Sequence, residues 1–348
     1  MNNPSTLQSR NDKKNILDGK LFLILAILAF VFLPMGATSY GQHTFIMIAF
    51  YAYVATAWNI VCGFVGTLSL GHAVYAGIGG YISTLLLMEG GMSPWIGMFI
   101  GALITTVIGV LVGYPCFRLK GPYFALTSIA FSELIRIWVE NNEYLFGVNI
   151  KGSMGLVLPQ YGNNFMAFEF AGKLPYYYII LSFLAIAILV SFLIHRSKLG
   201  FYLTAIRSDP DAAESLGIGL AKYKVIAMGI STFLIAFGGT FYAQYFRYIG
   251  PTRIFGHDLS VQIALLALVG GQGKVFGPLM GAVLLVPLTE VLSEHFGGTL
   301  PGLHLFIYGI VMMLVIFFMP NGIHEYATKL FNWVNDKIFR KTKNAENC

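Results

Sequence analysis

Long runs of apolar residues, separated by short polar stretches, dominate this chain. A helix that crosses the hydrocarbon core of a bilayer needs about 20 such residues. Proline falls mainly near the ends of the runs, where helices can begin or stop. The pattern predicts an all-α, polytopic membrane protein of about ten transmembrane helices, some of them short or re-entrant. The predicted spans are 21–38, 44–62, 64–88, 94–117, 121–139, 175–194, 225–246, 259–273, 275–289 and 303–320.

The composition supports a membrane protein. Of the 348 residues, 56% are hydrophobic and 11% are charged, and the mean hydropathy is +0.70. Soluble domains have roughly 25% charged residues. We expect a cytoplasmic tail at 1–20, a membrane domain at 21–322 and a second cytoplasmic tail at 323–348. The polar start and the lack of a small-residue cleavage site indicate a first transmembrane helix rather than a cleaved signal peptide.

The positions of lysine and arginine predict the orientation, because these residues accumulate on the cytoplasmic side. With the N-terminus inside, 17 of the 22 basic residues lie on that side and four lie outside. We therefore expect both termini in the cytoplasm and an even number of spans, in an inner membrane. Since topology explains the basic residues, the net charge of +6 gives no support to nucleic-acid binding.

Two of the predicted spans, 259–273 and 275–289, are short. Fifteen helical residues reach only about 22 Å. The two segments are either tilted spans or a re-entrant pair that meets at a glycine-rich turn. Irregular backbone at membrane depth requires cover by protein or a water-filled cavity. The turn is therefore a candidate element of a substrate pathway, with tight helix packing as the alternative. Its candidate residues are Gly270, Gly271 and Gly273.

One polar stretch on the predicted cytoplasmic side, 207–224, differs from its surroundings. We predict a helix of about two turns at 210–216. A helix this short is not stable alone in water, so it must dock on the protein's own spans or on a partner. Its ends carry residues that favour helix termini, namely Asp209 or Ser208 as the cap, Pro210 in the first turn, Asp211 and Glu214 near the positive end, and Gly217 at the stop.

Polar groups inside predicted spans are candidate pathway residues. Ser69 and His72 lie in an apolar, glycine-rich segment, and Gly71 between them removes side-chain bulk. Unsatisfied polar groups are costly there. These residues either line a pathway for substrate or serve packing, with His72 bonded to a neighbouring carbonyl.

Glu133 and Arg136 are a charged pair inside a predicted span. At a spacing of three residues they share one helical face and can form an ion pair. Intramembrane charges usually face the bundle interior. An amino-acid zwitterion needs both an acidic and a basic partner, and this pair offers both. The alternative is a structural pair that ties this helix to another.

Several segments resemble importer permeases driven by ATP hydrolysis. Such permeases carry a cytoplasmic pattern of Glu-Ala-Ala, three spacers and Gly, and residues 211–217 read Asp-Ala-Ala-Glu-Ser-Leu-Gly. Aspartate replaces the leading glutamate. GFVGTLSLGHAVYAGIGGYIS (63–83), GPYFALTSIAFSELIR (121–136) and LVGGQGKVFGPLMGA (268–282) resemble the LivM-type subunit of branched-chain amino acid permeases. The resemblance covers about 45–325. Urea permeases share much of the pattern, so the substrate stays open.

The resemblance implies a set of partners. They are a second homologous permease subunit, two cytoplasmic ATPase subunits and an extracytoplasmic substrate-binding protein. The outer loop 140–174 is the expected docking surface for the binding protein, although 151–155 departs from the family's pattern. A coupling helix in the loop 201–222 would contact the ATPases through Asp209, Pro210, Asp211, Ala212, Ala213, Glu214, Leu216 and Gly217.

The sequence shows no sign of an enzyme. The stretch Gly-Gln-Gly-Lys-Val is not a phosphate-binding loop, because Leu268 stands where the loop needs glycine and Val275 where it needs serine or threonine. ATP hydrolysis is therefore expected on separate subunits, and no cofactor or metal is expected. Cys62, Cys116 and Cys348 form no spaced cluster. The competing function is a secondary transporter or channel that works without an ATPase.

Overall fold

The computed structural model of the chain describes residues 30–119, 121–145, 147–296, 303–319, 322–323 and 325–326. The tail 1–20, most of the first predicted span at 21–38 and most of the tail 323–348 lie outside the described residues. A 3₁₀ turn at Leu33–Gly36 precedes the first long helix.

Helices make up most of the described chain. In chain order they are α1 (Ser39–Cys62), α2 (Ala73–Gly90), α3 (Pro94–Cys116), α4 (Pro122–Asn141), α5 (Lys173–Arg196), α6 (Lys198–Ser208), α7 (Pro210–Ser215), α8 (Leu220–Phe246), α9 (Pro251–Ile254), α10 (His257–Gly271), α11 (Gly277–Phe296) and α12 (Leu303–Phe318). Proline begins α3, α4, α7 and α9. A missing N–H has no cost at a first helical position, which explains these starts.

The central helix of the bundle is α1. In its most apolar window 89% of the residues are buried. Helices α5, α8, α10 and α11 pack against it, while α2 and α3 pack against α8 and against each other. The contact of α2 with α8 is backbone to backbone, since a Cβ at Gly239 would overlap the carbonyl oxygen of Ala76.

Six helical segments in the described part of the chain are long and apolar enough to cross a membrane. They correspond to α1, α3, α5, α8, α9 with α10, and α11. Helices α2, α4 and α12 lie at other predicted spans but do not meet the same length and hydropathy. The structure therefore supports a multi-pass membrane protein, and the count of about ten spans stays a prediction.

The predicted span 64–88 is wrong in its first part. Residues 63–72 form no helix, and α2 begins only at Ala73. Gly66 in this segment has φ +82°, a conformation that glycine adopts without strain. The sequence between Gly63 and His72 is as apolar as a helix would be, so its hydropathy did not reveal the interruption.

The two short predicted spans form an antiparallel hairpin of α10 and α11. Glycines allow close contact, because a Cβ at Gly281 would overlap the carbonyl of Leu266 and a Cβ at Gly270 that of Gly277. The prediction of fifteen residues for the second segment is too short. Helix α11 has 20 residues, reaches about 30 Å, and can cross a bilayer on its own.

The long loop between α4 and α5 supplies three of the four short strands in the described chain. Strand β1 (Tyr144–Leu145) pairs with β2 (Val148–Asn149), and β3 (Leu156–Val157) pairs with β4 (Tyr248–Ile249), which follows α8. Arg247 joins the same loop through a 2.8 Å ion pair with Glu169 and a hydrogen bond to the carbonyl of Pro159. The predicted outer loop is thus fixed to the end of α8.

Candidate functional site

The short polar helix predicted on the cytoplasmic side is α7. Oδ1 of Asp209 accepts the backbone N–H groups of Asp211 and Ala212, each at 3.0 Å, and Pro210 is the first helical residue. This side chain satisfies two of the N–H groups that a helix leaves unpaired at its start. The structure confirms Asp209, rather than Ser208, as the cap.

The end of α7 is equally well defined. Gly217 has φ +82°, its N–H bonds the carbonyl of Glu214 at 2.9 Å, and the N–H of Ile218 bonds the carbonyl of Ala213 at 3.1 Å. This is the glycine-terminated stop that follows many helices. Ala213 is buried against the protein, whereas Leu216 is 81% exposed. Helix α7 therefore presents an uncovered apolar side chain beside its stop.

The Ser-Leu-Gly-His segment lies in the irregular stretch before α2 rather than inside a helix. Ser69 and His72 are buried, and Trp58 of α1 donates its indole N–H to the carbonyl of Ser69 at 2.8 Å. A Cβ at Gly71 would overlap the carbonyl of Ser128 in α4. Glycine is therefore required at position 71 by the approach of α4.

His72 is fully hydrogen-bonded. Its Nδ1 lies 2.7 Å from Oγ of Ser69, and its Nε2 lies 3.1 Å from Oγ of Ser231 in α8. Ser231 donates its own proton to the carbonyl of Ala57 at 2.7 Å, so it can only accept from Nε2. Nδ1 must then accept from Ser69. Both ring nitrogens are occupied, which favours a structural role for the imidazole.

Serine hydroxyls from two other helices complete this buried polar region. Ser128 of α4 accepts the N–H of Leu70 at 3.0 Å, and Ser260 of α10 accepts the N–H of Ala73 at 3.0 Å. These bonds satisfy backbone groups that the interruption before α2 exposes. A small, partly open gap with a volume of about 10 Å³, roughly the space of one water molecule, adjoins the region between α3, α4 and α8, and its lining includes Ser69, Tyr75, Thr127, Ser128 and Phe131.

Glu133 and Arg136 form the predicted ion pair, with Nη2 and Oε2 2.7 Å apart. A third member was not predicted. Nη1 of Arg136 lies 2.8 Å from both carboxylate oxygens of Glu140, which also accepts a bond from Thr252 at 3.1 Å. The side chains of Glu133, Arg136 and Glu140 are 33%, 25% and 19% exposed. One arginine thus bridges two carboxylates on a partly uncovered face of α4.

The glycines of the α10–α11 turn lie elsewhere. Gly270 and Gly271 pack against α11, and Gly273 has φ +75°. Ten helical residues, about 15 Å, separate Gly270 from Ser260, which contacts the start of α2. The structure therefore brings Ser69, Gly71 and His72 together and connects them to α4, but it does not bring the turn glycines to the same place.

The sequence did not reveal the partners of this region. Ser128, Ser132, Ser231 and Ser260 are isolated hydroxyls in apolar helices, and most such residues bond only their own helix. Only the spacing of Ser128 and Ser132, four residues apart on one face of α4, gave a weak signal. Among the described residues, no group of three His, Cys, Asp or Glu side chains is placed to hold a metal ion.

Comparison with known proteins gives a consistent result. A family model described as the permease component of branched-chain amino acid transport systems matches residues 40–316. The LivM permease protein of the high-affinity branched-chain amino acid transport system of Salmonella typhimurium is 26% identical over 322 residues, which cover 87% of this chain and 74% of that protein.

Two further relatives are also permease proteins, one of them from a nucleoside transporter. The LivH permease protein of the same Salmonella system is 24% identical over 294 residues, which cover 78% of this chain and 90% of that protein. The nucleoside ABC transporter permease protein NupC of Lactococcus lactis is 25% identical over 229 residues, which cover 62% of this chain and 68% of that protein.

Proposed function

The chain belongs to the family of branched-chain amino acid transport permease components, and we propose that it is the membrane-spanning subunit of an ATP-driven importer of small polar solutes. The proposed setting is an inner membrane with both termini in the cytoplasm. The observation that supports the proposal is the family match over most of the chain, together with the capped helix α7, whose neighbouring apolar side chain Leu216 is exposed.

Helix α7 is the proposed contact with the ATPase subunits. The burial of Ala213 fixes one face of the helix to the protein, and the other face carries exposed Ala212 and Leu216. An exposed leucine at a helix end is suited to fill an apolar pocket on a partner. Movement of two ATPases would then pull or push α7, and α6 and α8, which flank it, would pass the movement into the bundle.

The proposed substrate pathway runs along α4. This helix packs loosely, and its outward face combines exposed Leu134, Ile137 and Trp138 with the Glu133–Arg136–Glu140 network. Lipid solvates such charges poorly, so this face requires cover by protein or water. We assign the cover to a second, homologous permease subunit, with the pathway between the two. The small gap beside Ser69 is lined in part by Thr127, Ser128 and Phe131 of the same helix.

Branched-chain amino acids are the proposed substrates. Both the family description and the LivM relative favour them. Arg136 and Glu133 supply opposite charges for a zwitterion, although each is already paired in this structure. A nucleoside is the second candidate, because the NupC relative has that substrate. An extracytoplasmic binding protein would deliver the solute, and the outer loop 140–174 is its proposed docking surface.

A substitution on α7 tests the docking role. Ala212→Asp places a charge on the exposed face of the helix, so it should abolish ATP-dependent uptake of leucine while the protein remains in the membrane. Ala221→Asp is the matched control, since Ala221 is also exposed but lies in the first turn of α8. The measurements are leucine uptake by membrane vesicles and co-purification of the ATPases. Normal leucine uptake in the Ala212→Asp variant would show that α7 does not form the contact with the ATPase subunits.

A further inference from the structure

Arg207 occupies a junction between the short helices α6 and α7 and the end of α1. It lies in the last turn of α6, and Asp209 ends α6 and caps α7. Its Nη1 donates to the carbonyl of Gly63 at 2.7 Å, a residue 144 positions away in the sequence. Any displacement of α7 therefore acts on a guanidinium that is bonded to the end of α1.

Three glycines surround this side chain. A Cβ at Gly66 would lie 2.7 Å from Cγ of Arg207, and a Cβ at Gly273 would overlap its guanidinium. Gly66 and Gly273 both have positive φ. The arginine, which stays exposed on one side, thus lies between the segment 63–72 and the α10–α11 turn, and a side chain added at Gly66 or Gly273 would force it to move.

The two walls are joined to each other by side chains of α1 and the turn. Oδ1 of Asn59 accepts the N–H of Gly273 at 2.9 Å, and its Nδ2 donates to the carbonyl of Lys274 at 3.0 Å. Gln272 donates to the carbonyl of Cys62 at 2.6 Å. The end of α1 and the turn therefore form one unit, and Arg207 contacts both halves of it.

The segment that Arg207 holds leads directly to the buried polar region. Gly63 begins the irregular stretch that ends at His72, and Leu70 within it bonds Ser128 of α4. Because α4 also carries Glu133, a chain of direct contacts connects α7 with the proposed pathway. The ion pairs found among the described residues involve other arginines, so no acidic side chain there competes with Gly63 for this guanidinium.

We propose that Arg207 is a positioning residue that couples the movement of α7 to the segment 63–72 and to the α10–α11 turn. This inference rests on the proposed function. The bond to Gly63 is charge-assisted, and such bonds contribute more than neutral ones. Its loss should leave the ATPases docked and active but should weaken the transmission of their movement to the pathway.

The test uses the complete complex of permeases, ATPases and binding protein in proteoliposomes, with leucine as the probe. The measured quantity is leucine transported per ATP hydrolysed. Arg207→Met, which removes every donor, should lower this ratio about tenfold or more. Arg207→Lys keeps a donor within reach of Gly63 and should restore most of it. Arg196→Ala is the control, because that exposed arginine contacts only the Phe192 ring in the described chain.

The outcomes separate the two proposals. If the wild-type complex takes up no leucine with ATP, the proposed function fails before Arg207 is tested. If the wild type works and the Met variant keeps the normal ratio, the coupling role is refuted. Loss of ATPase binding in the Met variant would make Arg207 a docking residue instead. Loss of the variant from the membrane would make it a structural residue, and either result overturns the inference.

Discussion

Replacing Gly239 by alanine should destabilise the bundle, because α2 and α8 touch backbone to backbone there. A Cβ at Gly239 would overlap the carbonyl oxygen of Ala76. That oxygen is part of the main chain of α2 and cannot rotate away, so the two helices must separate. The matched control is Gly229→Ala in the same helix. Its Cβ would lie 3.6 Å from Val110 and 3.7 Å from Thr106, which is ordinary contact.

The magnitude follows from comparing the two variants. Both gain the same helix propensity, about 0.8–1.0 kcal/mol for glycine to alanine. Overpacking of a filled interior costs about 1–3 kcal/mol, and an overlap with backbone belongs at the upper end. The free energy of unfolding should therefore rise by up to about 1 kcal/mol in Gly229→Ala. In Gly239→Ala it should lie about 2–3 kcal/mol below that of the control.

The assay is equilibrium unfolding of the purified protein in mixed micelles with increasing sodium dodecyl sulfate, followed by circular dichroism. The difference between the variants cancels their common gain in propensity, so it reports the steric effect alone. Equal stability of the two variants would refute the reasoning, because it would mean that α2 and α8 do not approach closely at this position. The described packing of the start of α2 against α8, and with it the position of His72, would then be refuted as well.

Substitutions at three further positions test individual contacts. Asp209→Ala removes the cap of α7, which contributes about 1 kcal/mol, and should lower leucine uptake severalfold. Asp209→Asn keeps an accepting oxygen and should transport normally. Equal uptake rates in the Ala and Asn variants would exclude the capping role. Glu133→Gln should reduce uptake without loss of folded protein, because Arg136 retains Glu140, and unchanged uptake would leave Glu133 a purely structural residue. His72→Phe removes both hydrogen bonds of a buried ring and should lower the free energy of unfolding by about 1–3 kcal/mol in the same detergent titration; wild-type stability would contradict the bonding network.

Most helix positions could be predicted from the sequence, because hydropathy and proline placement act locally. Helix α3 begins and ends within one residue of the predicted span 94–117, and α4 within two residues of 121–139. The interruption at 63–72 could not be predicted this way. It depends on distant partners, such as Arg207 on Gly63 and Ser128 on Leu70, that satisfy a non-helical backbone in an apolar sequence.

The candidate site was predictable only where its partners are close in sequence. The spacing of Glu133 and Arg136 was enough to predict their ion pair, and the capping residues of α7 were enough to predict that helix. The setting of His72 was not predictable, because Ser231 lies 159 positions away and no periodic pattern marks it. The sequence left a pathway role and a packing role open for His72, and the paired ring nitrogens favour packing.

The central claim is that this permease transports only when separate ATPase subunits hydrolyse ATP. The most direct measurement is the uptake of radiolabelled leucine by proteoliposomes that contain the two permease subunits, with the binding protein supplied, in the presence or absence of the ATPases. We predict uptake with the ATPases and ATP, and none when the ATPases are omitted or when ATP is replaced by a non-hydrolysable analogue. Equal uptake without the ATPases would contradict the account and identify a secondary transporter or channel.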